Sequence, residues 1–433
     1  MKRYVHLVGF ILIALLAASS LYAGGAQEKP KGPVDLKFFF PVQVAGPQAK
    51  LMSEIVDEFN KAHPDIKVEA VYSGNYDQTV QKAITAAKGG NPPAVIVATS
   101  ISLLEFLDQD LIEDIDQFMV GSDKGFTDGF FPGFMKNSIY KGKVWSVPFQ
   151  RSIPALYWNK KHFAEVGLDP EKPPRTWDEV VAFAEKLVKR NEKGETVRWG
   201  YEDITEDTWT IQGLILQAGG TYANEEGTKA FFNTPEAKKA FSYWNTLVNE
   251  KKVMPAQRFY GPASQDFVAE TASMMINSSG SFTFVSQSAK FPFGVTTMPG
   301  NVRNAFPTGG GNLYIFKGLK PAEKNAAWTF TKWMASPEVC ARWTEGTGYI
   351  PAQKAAYNTQ RMKDYMAKYP HYKAISEQLQ FAEKEMAFYS NSQIRQTLKT
   401  FIADVLLQKV PLDQGLVSLQ KEVDKILEPY SKK

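Results

Sequence analysis

The hydrophobic pattern between Leu36 and Ala98 alternates between the period of a strand and the period of a helix. The predicted strands and helices are, in order, 36–40, 51–59, 66–70, 76–88 and 94–98. His63-Pro64 stops the first helix and Gly89-Gly90 stops the second. The order β-α-β-α-β is the signature of an α/β lobe that is built on a mainly parallel sheet.

Ligands of such sheets bind at the carboxyl ends of the strands, where loops converge and the first turns of helices present free N–H groups. The loops after Phe40, Tyr72 and Ala98 lie at these ends. We therefore expect a ligand site there.

The rest of the chain continues the α/β pattern. Strands are predicted at Val144–Phe149 and Ala155–Trp158, on either side of a polar break at Gln150–Ser152. Thr176 and Glu179 have the spacing of a capping box that begins a helix. Further strands are predicted at 274–276, 293–296 and 313–316, and the chain from about residue 321 onward is predicted to be mostly helical. A mature chain of about 410 residues normally divides into two domains.

The N-terminus has the pattern of a secretory signal peptide. Lys2 and Arg3 precede an apolar run from Leu7 to Ala18, and small residues follow up to Ala23-Gly24. The run is shorter than the roughly 20 apolar residues that cross a bilayer. We expect residues 1–23 to be removed and the mature protein to be soluble in the periplasm.

Composition excludes several classes of function. Cys340 is the only cysteine, so the chain has no internal disulfide, no cysteine metal cluster and no lipid-anchor cysteine at the signal boundary. The net charge of +4 falls to +2 without Lys2 and Arg3 and includes no long basic run, which argues against a nucleic-acid partner. The histidines have no metal-ligand spacing, and no phosphate loop or nucleophile motif is present. We expect no enzyme activity, no metal and no cofactor.

Several motifs resemble those of one transport family. The stretch from Ala155 to Phe163, continued by Gly167–Pro170 and Pro173–Glu179, is similar to the central signature of extracellular solute-binding proteins of the maltose-binding type. Within that family the chain looks most like the glycerol-3-phosphate-binding proteins. The motifs that match this subgroup, in order, are Gly74–Tyr76, Ser278–Ser281, Thr347–Pro351 and Gln393–Arg395.

The resemblance implies a two-lobed α/β fold whose chain crosses between the lobes about three times, near residues 149, 306 and 349. One lobe would comprise residues 24–149 and 307–349, and the other 150–306 and 350–433. The ligand would bind in the cleft of a monomer, and the closed form would dock on the permease of an ABC importer.

The resemblance also transfers a set of ligand contacts. They fall on Tyr76, Ser152, Trp209, Ser278, Gly310, Tyr349 and Arg395. Arg395 would offer a planar charged fork to a phosphate, and the hydroxyl groups would donate to the phosphate oxygens. Trp209 would be a flat apolar wall, and the N–H of Gly310 would approach the ligand closely because no Cβ intervenes.

Two positions depart from the subgroup. Ser100 stands where the subgroup has a glutamate that engages the glycerol hydroxyls, and Arg151 stands where it has a small polar residue. Both changes are consistent with a bulkier or more anionic ligand, such as a glycerophosphodiester or a sugar phosphate. Alternatively, Arg151 points to solvent or pairs with an acid.

Four functions are therefore compared. The leading interpretation is a binding protein for sn-glycerol 3-phosphate or a related phosphorylated polyol. The second is an oligosaccharide-binding protein with the same import role, because the wider family is largely sugar-binding and 13% of the residues are aromatic. An exported hydrolase of phosphoesters or glycans and a purely structural surface protein are the two remote alternatives.

Overall fold

The computed structural model describes residues 32–432. The predicted signal peptide lies outside the described residues. The strands are β1 (Val34–Phe40), β2 (Ile66–Tyr72), β3 (Val95–Thr99), β4 (Ile139–Tyr140), β5 (Lys143–Val144), β6 (Val147–Ser152), β7 (Pro154–Asn159), β8 (Lys189–Arg190), β9 (Thr196–Arg198), β10 (Met274–Ser278), β11 (Phe293–Thr297), β12 (Phe306–Pro307), β13 (Gly309–Ile315), β14 (Ile350–Pro351) and β15 (Ala382–Glu383).

The α-helices alternate with the strands in the first half of the chain and dominate the last quarter. They are α1 (Gln48–Ala62), α2 (Tyr76–Lys88), α3 (Leu103–Asp108), α4 (Pro132–Met135), α5 (Lys160–Glu165), α6 (Trp177–Leu187), α7 (Trp209–Gln217), α8 (Pro235–Asn245), α9 (Tyr260–Val268), α10 (Phe282–Ser288), α11 (Pro321–Met334), α12 (Pro337–Thr347), α13 (Gln360–Lys368), α14 (Pro370–Glu377), α15 (Asn391–Leu406) and α16 (Leu412–Leu427).

The larger sheet has six strands in the order β14-β6-β13-β3-β1-β2. Strands β1, β2 and β3 are parallel, as the β-α-β-α-β pattern predicts, and β1 pairs with β2 along its whole length. Strand β13 runs antiparallel to both β3 and β6, and β14 runs antiparallel to β6. The sheet is therefore mixed, because strands from distant parts of the chain complete it.

A second sheet has three antiparallel strands in the order β10-β7-β11. All five residues of β10 and all six of β7 are buried, since helices cover this sheet. Strand β7 follows β6 after the single residue Ile153, so the two sheets are joined directly at this point.

The predicted polar break at Gln150–Ser152 is wrong, because these residues form the end of β6. Their backbones pair with Gly309, Gly310 and Gly311 on one side and with β14 on the other. Strand β13 accordingly begins at Gly309, four residues earlier than predicted. A polar sequence can form a central strand when tertiary partners satisfy its side chains. The lobe boundaries at residues 149, 306 and 349 stay a prediction.

Helix ends follow the local sequence. The side chain of Asn75 caps α2 and forms a capping box with Gln78, and Thr176 with Glu179 does the same for α6, as predicted. Helix α15 buries Ile394, Leu398 and Ile402 on one face and packs against the helices α16, α3 and α8. Within residues 32–432 no helix combines the length and apolarity that a membrane span requires.

Candidate ligand-binding cleft

A polar cavity lies where the carboxyl ends of β1, β2 and β3 face the smaller sheet and α15. Its volume is about 40 Å³. The lining residues are Gln43, Val44, Tyr76, Thr99, Ser152, Asp207, Trp209, Tyr260, Ser278, Gly309, Gly310, Tyr349, Glu385 and Arg395. The cavity lies at the strand ends where a ligand site is predicted, and its lining includes all seven residues to which the resemblance assigns ligand contacts. Their role in ligand binding stays a prediction.

Tyr76 is the first residue of α2, directly after the Asn75 cap, so its ring is held at the helix end nearest the cleft. Its hydroxyl oxygen accepts a hydrogen bond from Nε2 of Gln150. Burial raises the pKa of Tyr76 well above its usual value. The side chain is thus a neutral hydroxyl, and it is also hydrogen-bonded to the hydroxyl of Tyr349.

Ser152 and Ser278 end strands β6 and β10, and both are buried. The Oγ of Ser278 accepts a hydrogen bond from the backbone N–H of Gly280 at 3.0 Å. An acceptor that is bonded in this way keeps its own proton, so Ser278 remains available as a donor. Two strand ends therefore direct small hydroxyl donors toward the same space.

Trp209 also lines the cavity. Its Nε1–H donates to the carbonyl of Thr308 at 3.4 Å, and a Cβ on Gly309 would overlap the indole ring. Gly310 has a φ of +89°, and a Cβ there would overlap the carbonyl oxygen of Gln150. The glycine at 310 is thus required by the neighbouring strand, while the glycine at 309 makes room for Trp209.

Tyr349 lies at the end of α12, where its ring stacks on Trp343 with centroids 6.3 Å apart. Its carbonyl accepts a hydrogen bond from the hydroxyl of Tyr372 at 3.0 Å. A Cβ on Gly280 would overlap the Tyr349 ring, so this glycine permits the close packing. The phenol is fixed in position before any ligand binds.

Arg395 lines the cavity, but its guanidinium already donates hydrogen bonds to other side chains. Its Nη2 donates to Asp207 at 2.9 Å and to Asp77 at 3.4 Å, and its Nη1 donates to Thr208. Burial alone would lower the pKa of Arg395, but the carboxylates of Asp207 and Asp77 outweigh it and raise the pKa. The arginine stays charged, and part of that charge is already balanced.

Ser100 and Arg151 do not line the cavity. Ser100 is buried and donates its hydroxyl to Oε2 of Glu385 at 2.9 Å, so it acts on the cleft through that carboxylate. Arg151 is fully buried and donates to Asn312 and Thr308 at 3.1 Å each. Arg151 therefore adds no cation to the cavity lining, because its side chain lies on the face of β6 opposite to that of Ser152. The alternative that it points to solvent is wrong because it is buried, and among the described residues no ion pair includes Arg151.

Two carboxylates of the cleft are missing from the sequence-predicted set. Asp207 accepts hydrogen bonds from Tyr260 at 3.1 Å and from Gln43 at 3.4 Å, and it faces Arg395. Asp207 lies two residues before Trp209, a proximity that could have drawn attention to it. Glu385 lies on an irregular segment that no periodicity marks. Within residues 32–432, no group of acidic, histidine or cysteine side chains could hold a metal ion.

The chain matches known proteins of one family. A family model described as bacterial extracellular solute-binding protein matches residues 54–374. The sn-glycerol-3-phosphate-binding periplasmic protein of Pectobacterium atrosepticum is 29% identical over 376 residues, which cover 82% of this chain and 81% of that protein. The protein of the same name from Escherichia coli K12 is 29% identical over 341 residues, or 75% of this chain and 76% of that protein.

Solved structures share the fold at lower identity. UgpB from Mycobacterium tuberculosis, in complex with glycerophosphocholine, has a TM-score of 0.79 at 21% identity and covers 92% of this chain and 99% of its own. The maltose/maltodextrin-binding domain from Bdellovibrio bacteriovorus, bound to maltotriose, has a TM-score of 0.80 at 20% identity over 91% and 100% of the two chains. The predicted two-lobed α/β fold of the maltose-binding type is confirmed. The chain belongs to the bacterial extracellular solute-binding proteins, the substrate-binding subunits of ABC importers.

Proposed function

We propose that this solute-binding protein captures sn-glycerol 3-phosphate or a related glycerophosphodiester in the periplasm and delivers it to the membrane permease of its importer. One observation carries the proposal. A buried arginine, Arg395, shares a single cavity with the hydroxyl groups of Tyr76, Ser152 and Ser278. The names of the relatives from Pectobacterium and Escherichia point to the same ligand class.

The chemistry of the cavity suits a phosphate ester. Three N–H groups of Arg395 are used by Asp207, Asp77 and Thr208, so the guanidinium has further N–H groups to offer to phosphate oxygens. Hydroxyl groups from both strand ends would complete the shell around the anion. Because Arg395 is partly balanced by carboxylates, a monoanionic phosphodiester is accommodated as readily as a dianionic monoester.

In this structure the cavity is too small for either candidate ligand. Its volume of about 40 Å³ is far below the roughly 300–1,000 Å³ of pockets that hold drug-sized molecules, so the cleft must open before glycerol 3-phosphate or a sugar can enter. The second candidate, an oligosaccharide, is supported by the aromatic side chains of Trp209, Tyr260 and Tyr349 in the wall. A sugar chain would require a much wider opening of the cleft than a glycerophosphate requires.

Contacts across the cleft explain how binding would be coupled to delivery. Gln43, which follows β1, donates to Asp207 on the other side, and Asp77 of α2 pairs with Arg395 of α15. A ligand that strengthens contacts on both sides at once favours the closed arrangement over the open one. The closed form would be the one that docks on the permease. This binding cycle requires no catalytic step, and we propose that the protein is not an enzyme.

Isothermal titration of the mature protein tests the proposal. We expect glycerol 3-phosphate and glycerophosphocholine to bind, and maltose and maltotriose to give no heat. Arg395→Lys, which keeps the charge but loses the planar fork, should weaken phosphate binding roughly tenfold, and Arg395→Met should weaken it further. Arg342→Met is the matched control, because Arg342 pairs with Glu58 on the surface of α1. Binding of maltotriose that is unaffected by Arg395→Met would contradict the proposal, and a thermal melt of each variant checks that it folds.

A further inference from the structure

Glu385 is a buried carboxylate in the wall of the cleft, 5% exposed, and its backbone is held on both sides. The side chain of Asn137 donates to its carbonyl at 2.7 Å and accepts from its N–H at 3.2 Å. Just before it, β15 pairs with β12, and the N–H of Thr308 donates to the carbonyl of Glu383 at 2.9 Å. These hydrogen bonds fix the backbone position from which the side chain of Glu385 extends.

A second layer of polar residues supports this arrangement. The hydroxyl of Thr308 donates to Asn137 at 3.1 Å and itself accepts from Arg151 at 3.1 Å. Arg151 thus connects through Thr308 and Asn137 to the backbone of Glu385. This chain of hydrogen bonds accounts for the burial of an arginine that does not contact the cavity.

The carboxylate of Glu385 has few donors for its charge. Among the side chains that the structure describes, only the hydroxyl of Ser100 donates to it, at 2.9 Å, and no ion pair includes it. The nearby cations are engaged elsewhere, since Arg395 bonds to Asp207 and Arg151 bonds to Asn312. A carboxylate offers about four lone-pair sites, so most of the acceptor capacity of this cavity-lining side chain is unused.

An ionised carboxylate that is buried with too few hydrogen-bond donors costs free energy, and this cost raises its pKa. Burial raises the pKa of Glu385 to about 7, against the opposing effects of the Arg151 cation and the Ser100 hydrogen bond. Donors that arrive with a ligand would relieve this cost. The hydroxyl groups of a polyol are such donors.

We propose that Glu385 accepts hydrogen bonds from the hydroxyl groups of the bound polyol and so selects glycerol esters over other phosphate esters. Ser100 orients the carboxylate, and Arg151 is a positioning residue that acts through Thr308 and Asn137. The inference rests on the proposed function, because it assigns the hydroxyl-binding end of the same ligand whose phosphate Arg395 would hold. The cleft then has a phosphate end and a hydroxyl end, supplied by different parts of the chain.

The test compares two phosphate esters that differ in their hydroxyl groups. Glycerol 3-phosphate carries a diol, and ethyl phosphate carries none. Affinities for both are measured by isothermal titration on the wild type, Glu385→Gln, Glu385→Ala and Glu383→Gln. Glu383 is the matched control, because it lies two residues away and pairs with Arg303 at the surface.

We expect wild-type protein to prefer glycerol 3-phosphate at least tenfold, and Glu385→Ala to lose most of that preference while its affinity for ethyl phosphate changes less than threefold. Glu385→Gln should lose part of the preference, and Glu383→Gln should keep all of it. The wild-type preference should also grow from pH 6 to pH 8, as Glu385 ionises, and should be flat in Glu385→Gln.

Two results would overturn the inference and are distinguishable from each other. If Glu385→Ala weakened both esters equally, Glu385 would have only a structural role. If the wild type bound neither ester, the proposed function itself would fail together with this inference.

The positioning role of Arg151 is tested by its own variant. Arg151→Met should reduce the preference for the diol more than it reduces affinity for ethyl phosphate. An equal reduction for the two esters would exclude that role.

Discussion

Arg395 and Asp207 form a buried ion pair at 2.9 Å inside the cleft, so the cation that would hold a phosphate already has an anionic partner. Both side chains are almost completely shielded from water. A phosphate that binds Arg395 must therefore share the guanidinium with Asp207. We expect this arrangement to restrain anion affinity, and it holds the guanidinium in place beside Asp207.

The first prediction concerns this pair. Asp207→Asn retains the oxygen that accepts from Arg395 but removes the negative charge, so we expect glycerol 3-phosphate to bind on the order of fivefold more tightly. Titration calorimetry measures the change, and uncharged glycerol is the matched control ligand, whose affinity should not rise. Weaker phosphate binding by this variant would mean that Asp207 is needed mainly to position Arg395.

A second prediction concerns closure. Asp77 on α2 pairs with Arg395 and Lys399, which lie one turn apart on α15. These pairs hold the carboxyl group of Asp77 at a pKa of about 2, although the side chain is only about half exposed. Asp77→Asn removes a contact that is made when the two sides meet, so the open form should gain population and all ligands should bind more weakly. Small-angle scattering should show a larger radius of gyration for the ligand-free variant than for the control Asp57→Asn, and identical radii would contradict the prediction.

The third prediction separates two neighbouring glycines. Gly309→Ala overlaps the buried Trp209 ring and forces it to move, so it should weaken ligand binding and should cost less stability than the change at residue 310, where the obstacle is backbone. Gly310→Ala must adopt a φ of +89° and meets the carbonyl of Gln150, so it should destabilise the fold by roughly 1–3 kcal/mol. Urea unfolding and titration on both variants measure the two effects. The reverse assignment of the effects would show that the sheet adapts at residue 310.

A fourth prediction concerns the pH dependence of stability. Burial raises the pKa of Glu202 to about 8, although Arg258 donates to it at 3.0 Å. Its folded-state pKa lies above the unfolded value, so its contribution to stability is complete below about pH 4.5 and is lost as the pH rises through 8. Wild-type protein should lose on the order of 2 kcal/mol more than Glu202→Gln between pH 5 and pH 8 in urea unfolding. Equal losses in the two proteins, or a larger loss in the variant, would contradict the assignment, and the exposed Glu69→Gln is the control.

Local patterns in the sequence account for the first third of the fold. The helix predicted at residues 76–88 has the same bounds in the structure, because Asn75 and Gln78 cap it and Gly89 ends it. The parallel strands β1, β2 and β3 follow from their alternation and spacing. The position of the cleft follows in turn, since strand ends of one parallel sheet meet at one edge.

Features that depend on distant partners could not be predicted in this way. Gln150–Ser152 form a strand because β13 and β14 pair with them, and nothing local indicates that. The contact between Ser100 and Glu385 spans 285 positions in the chain. Each residue looks like an ordinary polar position of a loop until the tertiary fold brings the two together.

Native mass spectrometry of the protein as purified from its source would identify the ligand of the cleft without any assumption about its class, because a tight binder retains its ligand. We expect a bound species with the mass of a glycerophosphate or a glycerophosphodiester, which is absent from the Arg395→Met variant prepared in parallel. A retained neutral oligosaccharide, present in both proteins, would contradict the proposed function.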